Sequence, residues 1–454
     1  MITLLAIEWA VIGIKAGQLV LCLSILVILH EMGHFLPAKW FKCRVEKFYL
    51  FFDPWFSLVK KKIGETEYGV GWLPLGGYVK ISGMIDESMD KEAMKMPPQP
   101  YEFRSKKPWQ RLIIMIGGVT VNLILGFFLF AMILWHWGEE YLPAKNAVYG
   151  VYVDSLGKSI GLKDGDKILG VNGKEIENFG SLSTDIILNE AKNLQVVRDG
   201  QNLNVAIPEG TISQLFKRRG EPLAYPKYPA VVDSVDDAKA KFTSGRLMKD
   251  DQIIGFNGQP VRSYVELTDI KRNFKNKEVA LTVLRKNTDT AQVRVKLSAE
   301  GGIGYYTRPS NKFLTFAVKK YTFLESLPAG VAKGWKTLVM NVQNFKLLFT
   351  SKEVKASESL GSFLTIGSMF GAEWDWERFW GMTALLSIVL AFMNILPIPA
   401  LDGGHVLFTL YEMITGRKPG DKFMEYAQMA GMILLLCVMA YALGLDFWRY
   451  LFKH

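Results

Sequence analysis

The chain has 454 residues, 49% of them hydrophobic, and the apolar residues gather into four blocks at about 17–37, 111–135, 380–397 and 427–445, which excludes a wholly aqueous protein. The formal net charge of +10 sits beside those blocks and not in a basic run interleaved with aromatics, which argues against nucleic acid as a partner. The three cysteines, Cys22, Cys43 and Cys437, have neither metal-type spacing nor the numbers of a disulfide-stapled scaffold, and read as packing residues.

The first block, Gly17 to Pro37, reads GQLVLCLSILVILHEMGHFLP. A helix rises about 1.5 Å per residue, so this run covers a hydrocarbon core of roughly 30 Å. Inside it His30-Glu31-Met32-Gly33-His34 forms an H-E-x-x-H pattern, which sets two imidazoles on one helix face with a glutamate beside the first. A carboxylate at that depth costs on the order of 3 kcal/mol and marks a functional position by default. No charged n-region precedes the block and no small-residue cleavage site follows it, so it reads as a permanent span and not a signal peptide. Lys39, Lys42, Arg44 and Lys47 follow it, and Arg104, Lys106, Lys107 and Arg111 lead into the second block. By the positive-inside rule the 38–110 loop is cytoplasmic, 138–378 lies outside, 398–426 with Arg417, Lys418 and Lys422 lies inside, and both termini fall on the outer side.

Between the first two spans, 48–82 is rich in aromatics, alternates apolar residues and is broken by Gly and Pro, which predicts short strands and hairpins. It is apolar for a cytoplasmic loop and is expected to dip into the membrane face, where non-helical backbone survives only if buried in protein or lining a water-filled cavity. The polar stretch 83–110, with Met96-Pro-Pro-Gln-Pro100, reads as a mobile loop.

The outer region repeats itself. Leu162 to Gly173 (LKDGDKILGVNG) and Leu247 to Gly258 (LMKDDQIIGFNG) match at six of twelve positions with an offset of 85 residues, which implies two copies of one small domain. The L-x-x-x-D-x-I-x-x-x-N-G core resembles PDZ domains of bacterial proteases, which bind extended peptides or chain ends by strand addition; steric shielding is the other reading. Residues 322–352 place apolar residues at helical spacing, interrupted by Lys333, Lys336 and Lys346, and predict an amphipathic helix on the outer membrane surface.

The third span ends in Asn394-Ile-Leu-Pro-Ile-Pro-Ala-Leu-Asp402-Gly-Gly-His405. Two prolines end the helix, and Gly403 and Gly404 let the chain turn closely. A catalytic zinc takes three protein ligands and water, and Asp402, the only acid between Glu377 and Glu412, is the candidate third ligand beside His30 and His34. The first and third spans run in the same direction. His30 lies 13 residues past Gly17 and Asn394 lies 14 past Trp380, so both reach about 20 Å from the outer edge and the two motifs meet toward the cytoplasmic side. A fourth protein ligand would close the site, so His405 is assigned to holding the Asp402 loop. His136 and His454 read as interfacial or solvated.

HEMGH in the first span, NILPIPALDGG in the third and a tandem PDZ-like insert between the second and third resemble the site-2 proteases, in the bacterial branch with two PDZ domains. The resemblance covers almost the whole chain. It implies that His30, His34 and Asp402 bind Zn2+, that Glu31 is catalytic and that Asn394 contacts the substrate backbone. It also implies that Pro74 to Tyr78, with Gly76, Gly77 and Tyr78, belongs to a membrane-reentrant β-segment that meets substrate. The implied activity is regulated intramembrane proteolysis in a bacterial inner membrane: a single-span protein such as an anti-sigma factor, trimmed outside by a first protease, is then cut within the bilayer, and remnant signal peptides are further substrates. The PDZ pair would be periplasmic and would exclude untrimmed substrates by size.

The expected fold class is thus a polytopic α-helical membrane protein with four transmembrane helices, a membrane-associated β-hairpin region and two extracytoplasmic PDZ-like α+β domains. The boundaries are 1–37 (first helix), 38–110 (β region and loop), 111–137 (second helix), 138–225 and 226–310 (the two repeats), 311–378 (surface helix and linker), 379–426 (third helix and cytoplasmic loop) and 427–454 (fourth helix and tail). Two other classes compete. A non-catalytic membrane-anchored PDZ scaffold or receptor would use the metal only structurally, although a retired protease usually loses Glu31 or a ligand and this chain keeps all four. A metal transporter would need polar residues along a whole path, and these spans offer one polar layer.

Overall fold

The computed structural model describes residues 2–74, 76–84, 97–218, 222–237, 239–286, 288–350 and 362–452. Residues 85–96 of the loop expected to be mobile, 351–361 of the linker before the third span, and His454 lie outside these residues. The chain forms two compact units: one built from both ends of the sequence, the other, Glu139–Lys319, inserted between them.

In the first unit, the described residues contain four helices long and apolar enough to cross a membrane: Trp9–Trp40, Pro108–His136, Trp376–Ile395 and Lys422–Trp448. The chain is a multi-pass membrane protein. The first helix runs from Ile2 to Trp40, beyond the expected 17–37, and keeps Pro37 inside it. Proline has no N–H for the carbonyl four residues earlier, that of Gly33. That carbonyl lies at the crossing with the second span, where a Cβ on Gly117 would stand 2.0 Å from it and a Cβ on Gly33 would stand 2.5 Å from Gly117 O. Lipid gives helices no hydrophobic reason to associate, so close backbone approach through small residues carries the packing. The second and third spans meet the same way, with Gly126 against Ile388 and Ala384, and the Ser387 hydroxyl donates to the Asn122 carbonyl at 2.6 Å.

The helix expected on the outer surface spans Phe323–Thr350 and corrects that expectation. It packs lengthwise on the spans: Gly330 and Gly334 abut Ala131 and Phe127, and Phe345 meets the Phe392 ring at 5.5 Å, close to the C-terminal end of the third span. Glycines every four residues give it a flat face for a neighbouring helix, which the lysines on other faces concealed. The third span ends at Ile395, two residues early, and the segment assigned to a cytoplasmic loop contains a helix, Asp402–Thr415. Arg111 of the second span pairs with its Glu412 at 2.6 Å. The fourth long helix, Asp421–Phe452, passes so close to the turn before Asp402 that a Cβ on Gly431 would overlap Pro399 O.

Between the first two spans lies a four-stranded sheet of β1 (Val45–Leu50), β2 (Phe52–Ile63), β3 (Thr66–Leu73) and β4 (Tyr78–Ile81), in the order β2-β3-β1-β4. The β2–β3 pair is the expected hairpin, but β1 pairs with β3 in parallel, and β4 lies antiparallel to β1 at the sheet edge. Trp55, Phe56, Leu58 and Val59 of β2 are exposed.

In the inserted unit one order of elements occurs twice. Strands at Val151–Val153, Lys167–Val171, Lys174–Glu175, Asn193–Arg198, Gln201–Ala206 and Ala224–Pro226 correspond to Val232–Val235, Gln252–Phe256, Gln259–Pro260, Glu278–Arg285, Asp289–Lys296 and Tyr305–Thr307. The helices Leu182–Leu188 and Tyr264–Lys271 also correspond, and each copy has its own apolar core. The shared motif residues do the same work in both. Asp166 and Asp251 are buried and bonded by Arg198 and Arg285, while Asn172-Gly173 and Asn257-Gly258 take the positive φ of tight hairpin turns.

Candidate active site

The first span carries His30 and His34 one helical turn apart, facing the second span. The His34 Nδ1 lies 2.8 Å from the Ile114 carbonyl. A carbonyl only accepts, so Nδ1 carries the proton, and the ring when neutral presents Nε2 as a lone pair. His34 is 5% exposed, and its Nε2 stands 3.3 Å from the His30 Nε2.

Asp402 reaches this pair because of the turn after the third span. Pro397 and Pro399 stop the helix, Ala400 takes φ 81, and Asp402 opens the next helix, whose N-terminal dipole favours a carboxylate. The turn is closed by glycine: a Cβ on Gly403 would lie 2.1 Å from the Leu396 carbonyl oxygen. Asp402 Oδ2 then stands 3.2 Å from His30 Nε2 and 3.3 Å from His34 Nε2. That oxygen is buried and finds no hydrogen-bond donor among the described residues.

Three acceptor atoms thus face one point. The sides of 3.2–3.3 Å place the centre of the triangle about 1.9 Å from each corner, close to the ~2.0–2.1 Å of zinc–nitrogen and zinc–oxygen bonds. Two nitrogens and a carboxylate oxygen also suit zinc by donor type. The residues therefore fit the ion. Among the described residues this is the group of histidines, cysteines and acids arranged to hold a metal.

A cleft of about 600 Å³ opens on the triangle, lined by His30, Glu31, His34 and Asp402 together with Asp53, Tyr78, Val79 and Lys80. β4, an edge strand of the sheet among the described residues, therefore borders the histidine pair. Gly77 sits against the first span, where a Cβ would stand 3.4 Å from Glu31 Cγ and 2.6 Å from a Val27 methyl; Gly76 takes φ 150 beside the Phe52 ring. The Tyr78 hydroxyl donates to Asp53 Oδ1 at 2.9 Å, and its ring stacks on Tyr49 at 5.3 Å. Burial first, then that carboxylate, hold the Tyr78 hydroxyl well above its ordinary pKa, so it stays a donor. Asn394 brings its amide nitrogen to 3.2 Å from His30 Nε2. His405 lies outside the triangle, 3.2 Å from the Gln428 amide on the fourth long helix. His136 is exposed at the end of the second span.

Sequence reasoning missed the contribution of the second span. Gly118 lies against both imidazoles, where a Cβ would stand 2.4 Å from His34 Nε2 and 2.6 Å from His30 Cε1. The Asn122 amide lies 3.2 Å from His30 Nδ1. Asn122 is the one carboxamide in the 111–135 block, and that polarity within hydrocarbon was the available signal. Asp53, which orients Tyr78, and Gln428 were missed as well.

The sequence pattern of peptidase family M50 matches residues 18–438. The chain belongs to that family, the site-2 proteases. It is a zinc-dependent metalloprotease. It is similar to a Treponema pallidum protein that carries a zinc-metalloprotease name, at 28% identity over 92% of this chain and 96% of the relative. It is also similar to the regulator of sigma-E protease RseP of Escherichia coli, at 26% over 95% and 98%, and to that of Salmonella typhimurium, at 24% over 98% and 100%.

Proposed function

We propose that this site-2 protease is an intramembrane endopeptidase that cuts single-span membrane proteins within or near the bilayer, with His30, His34 and Asp402 as the zinc ligands and Glu31 as general base. The observation that carries the reading is the meeting of the His30, His34 and Asp402 donor atoms beside Glu31 in a cleft bordered by β4, an edge strand of the sheet among the described residues.

Bound zinc supplies a Lewis acid for the scissile carbonyl and acidifies water. Glu31 takes the proton of the attacking water at its carboxylate and delivers it to the leaving amine. A transmembrane helix hides its scissile bond, because its carbonyls are hydrogen-bonded within the helix. The substrate must unwind locally, and β4 offers replacement backbone bonds by strand addition. Gly76 and Gly77 keep the approach to that edge free of side chains, Tyr78 forms its wall, and Asn394 binds substrate backbone beside the metal. His405 steadies the helix that carries Asp402 through Gln428, and Gly403 lets that helix start where it does.

Substrates of the anti-sigma-factor type, trimmed first outside, and remnant signal peptides fit this reading, and the sigma-E name of the Escherichia coli relative supports a role in sigma-factor regulation. The membrane is then the bacterial inner membrane, with the inserted repeats and both termini periplasmic and the cleft toward the cytoplasm. The repeats are PDZ-like domains that take peptide ligands or filter substrates by bulk.

The test is Glu31→Gln in the purified full chain, assayed on a tagged single-span substrate with zinc measured in parallel. Cleavage should fall by 10³-fold or more with zinc content unchanged. Cleavage at the normal rate would refute the role of Glu31. Full zinc and folding without cleavage by the unaltered protein, on any single-span substrate, would favour the scaffold.

A further inference from the structure

The two imidazoles of the first span meet a single stripe of the second. Ile114, Gly118 and Asn122 recur every four residues and so share one helix face. The Ile114 carbonyl accepts from His34 Nδ1, Gly118 leaves room for both rings, and the Asn122 amide lies 3.2 Å from His30 Nδ1. Asn122 is fully buried, and its backbone is tied to the third span by Ser387.

The Asn122 amide lies with Nδ2 toward the ring and Oδ1 without a partner. The oxygen and nitrogen of a carboxamide occupy equivalent space and are told apart only by their hydrogen bonds. A ring that offers Nε2 as a lone pair carries its proton on Nδ1 and needs an acceptor there. Since Oδ1 has no donor among the described residues, a half-turn of the amide only exchanges the Nδ2 contact on that ring for one in which the oxygen accepts from Nδ1–H.

We infer that Asn122 is a positioning residue: its carboxamide oxygen accepts from His30 Nδ1–H, selects the tautomer whose Nε2 faces Asp402, and holds the ring at that angle. The inference rests on His30 being a zinc ligand. Asn122 then does for His30 what the Ile114 carbonyl does for His34, and the second span supports both imidazoles without supplying a ligand.

The experiment measures zinc affinity of the full chain in detergent by competition with a chromophoric chelator, with the melting of each zinc-free variant as the check on folding. Asn122→Leu, close in size but without an acceptor, should weaken zinc by about 10–100-fold. Asn122→Asp, which keeps the acceptor, should stay within about threefold of the unaltered protein. Unchanged affinity in a folded Asn122→Leu chain, or equal loss in both variants, overturns the inference. His30→Ala in the same assay isolates the premise, because wild-type zinc affinity there would remove His30 from the ligand set whatever Asn122 does. Should the leucine variant fail to fold, nitrogen resonances of ¹⁵N-histidine in the zinc-loaded, unaltered chain decide: a proton on Nδ1 of His30 supports the assignment, and a bare Nδ1 overturns it.

Discussion

Gly118 shows how much the site depends on one missing atom. Its α-carbon faces both imidazoles, and any Cβ would sit 2.4 Å from the very nitrogen that faces Asp402. Alanine is the better helix former by about 1 kcal/mol, so Gly118→Ala should leave the span intact or firmer. It should nevertheless lower zinc affinity at least tenfold by pushing the rings apart, read as metal content after dialysis against a weak chelator. Normal zinc in a folded Gly118→Ala chain would mean that the rings can retreat and that the close contact is incidental. At this scale the sequence was legible wherever the chemistry is local. His30, Glu31 and His34 lie on one turn, and Asp402 stands alone among apolar residues. Gly118 and Asn122 were not legible, because a glycine is ordinary in a span and an amide acquires meaning only from the ring across from it.

Among the elements, the sheet between the first two spans makes the sharpest test. Its strands were legible from alternation and aromatics, and the β2–β3 hairpin from its turn. The parallel pairing of β1 with β3, which leaves β4 at the edge, was not, since it joins segments separated by a whole strand. Nor was the seat of the Phe323–Thr350 helix, whose lysines suggested a solvated face while Gly330 and Gly334 made the contact. If β4 receives substrate, its outward N–H and C=O groups carry binding. Adjacent residues on an edge strand alternate between inward and outward bonding. Proline at Val79 and at Lys80, tested singly, therefore removes an outward N–H in one of the two. That variant should lose cleavage tenfold or more, chiefly through KM, while both keep zinc. Equal and near-normal cleavage by both would exclude strand addition at β4.

For the whole molecule, the inserted unit is a second folded body with cores of its own, and its two ends are paired. Ala317–Lys319 runs antiparallel to Glu139–Tyr141, with Lys319 opposite Glu139 and Ala317 opposite Tyr141. Partners on neighbouring antiparallel strands lie only about 4.5–5.5 Å apart, so the first and last strands of the insert run side by side. Residues 142–316 can therefore be replaced by a two-residue hairpin turn without stretching the chain, and the packing of Gly33 on Gly117 and of Gly126 on Ile388 involves nothing removed. If the repeats filter substrates by bulk, this variant should keep its zinc and cut an untrimmed single-span substrate about as fast as a trimmed one, whereas the intact chain should prefer the trimmed form at least tenfold. Both rates come from gel assays on the two substrates in the same detergent. A deletion that still refused the untrimmed substrate while cutting the trimmed one would place the selectivity in the membrane unit. Loss of both activities with zinc retained would instead point to the repeats as a docking site that delivers substrate to the cleft.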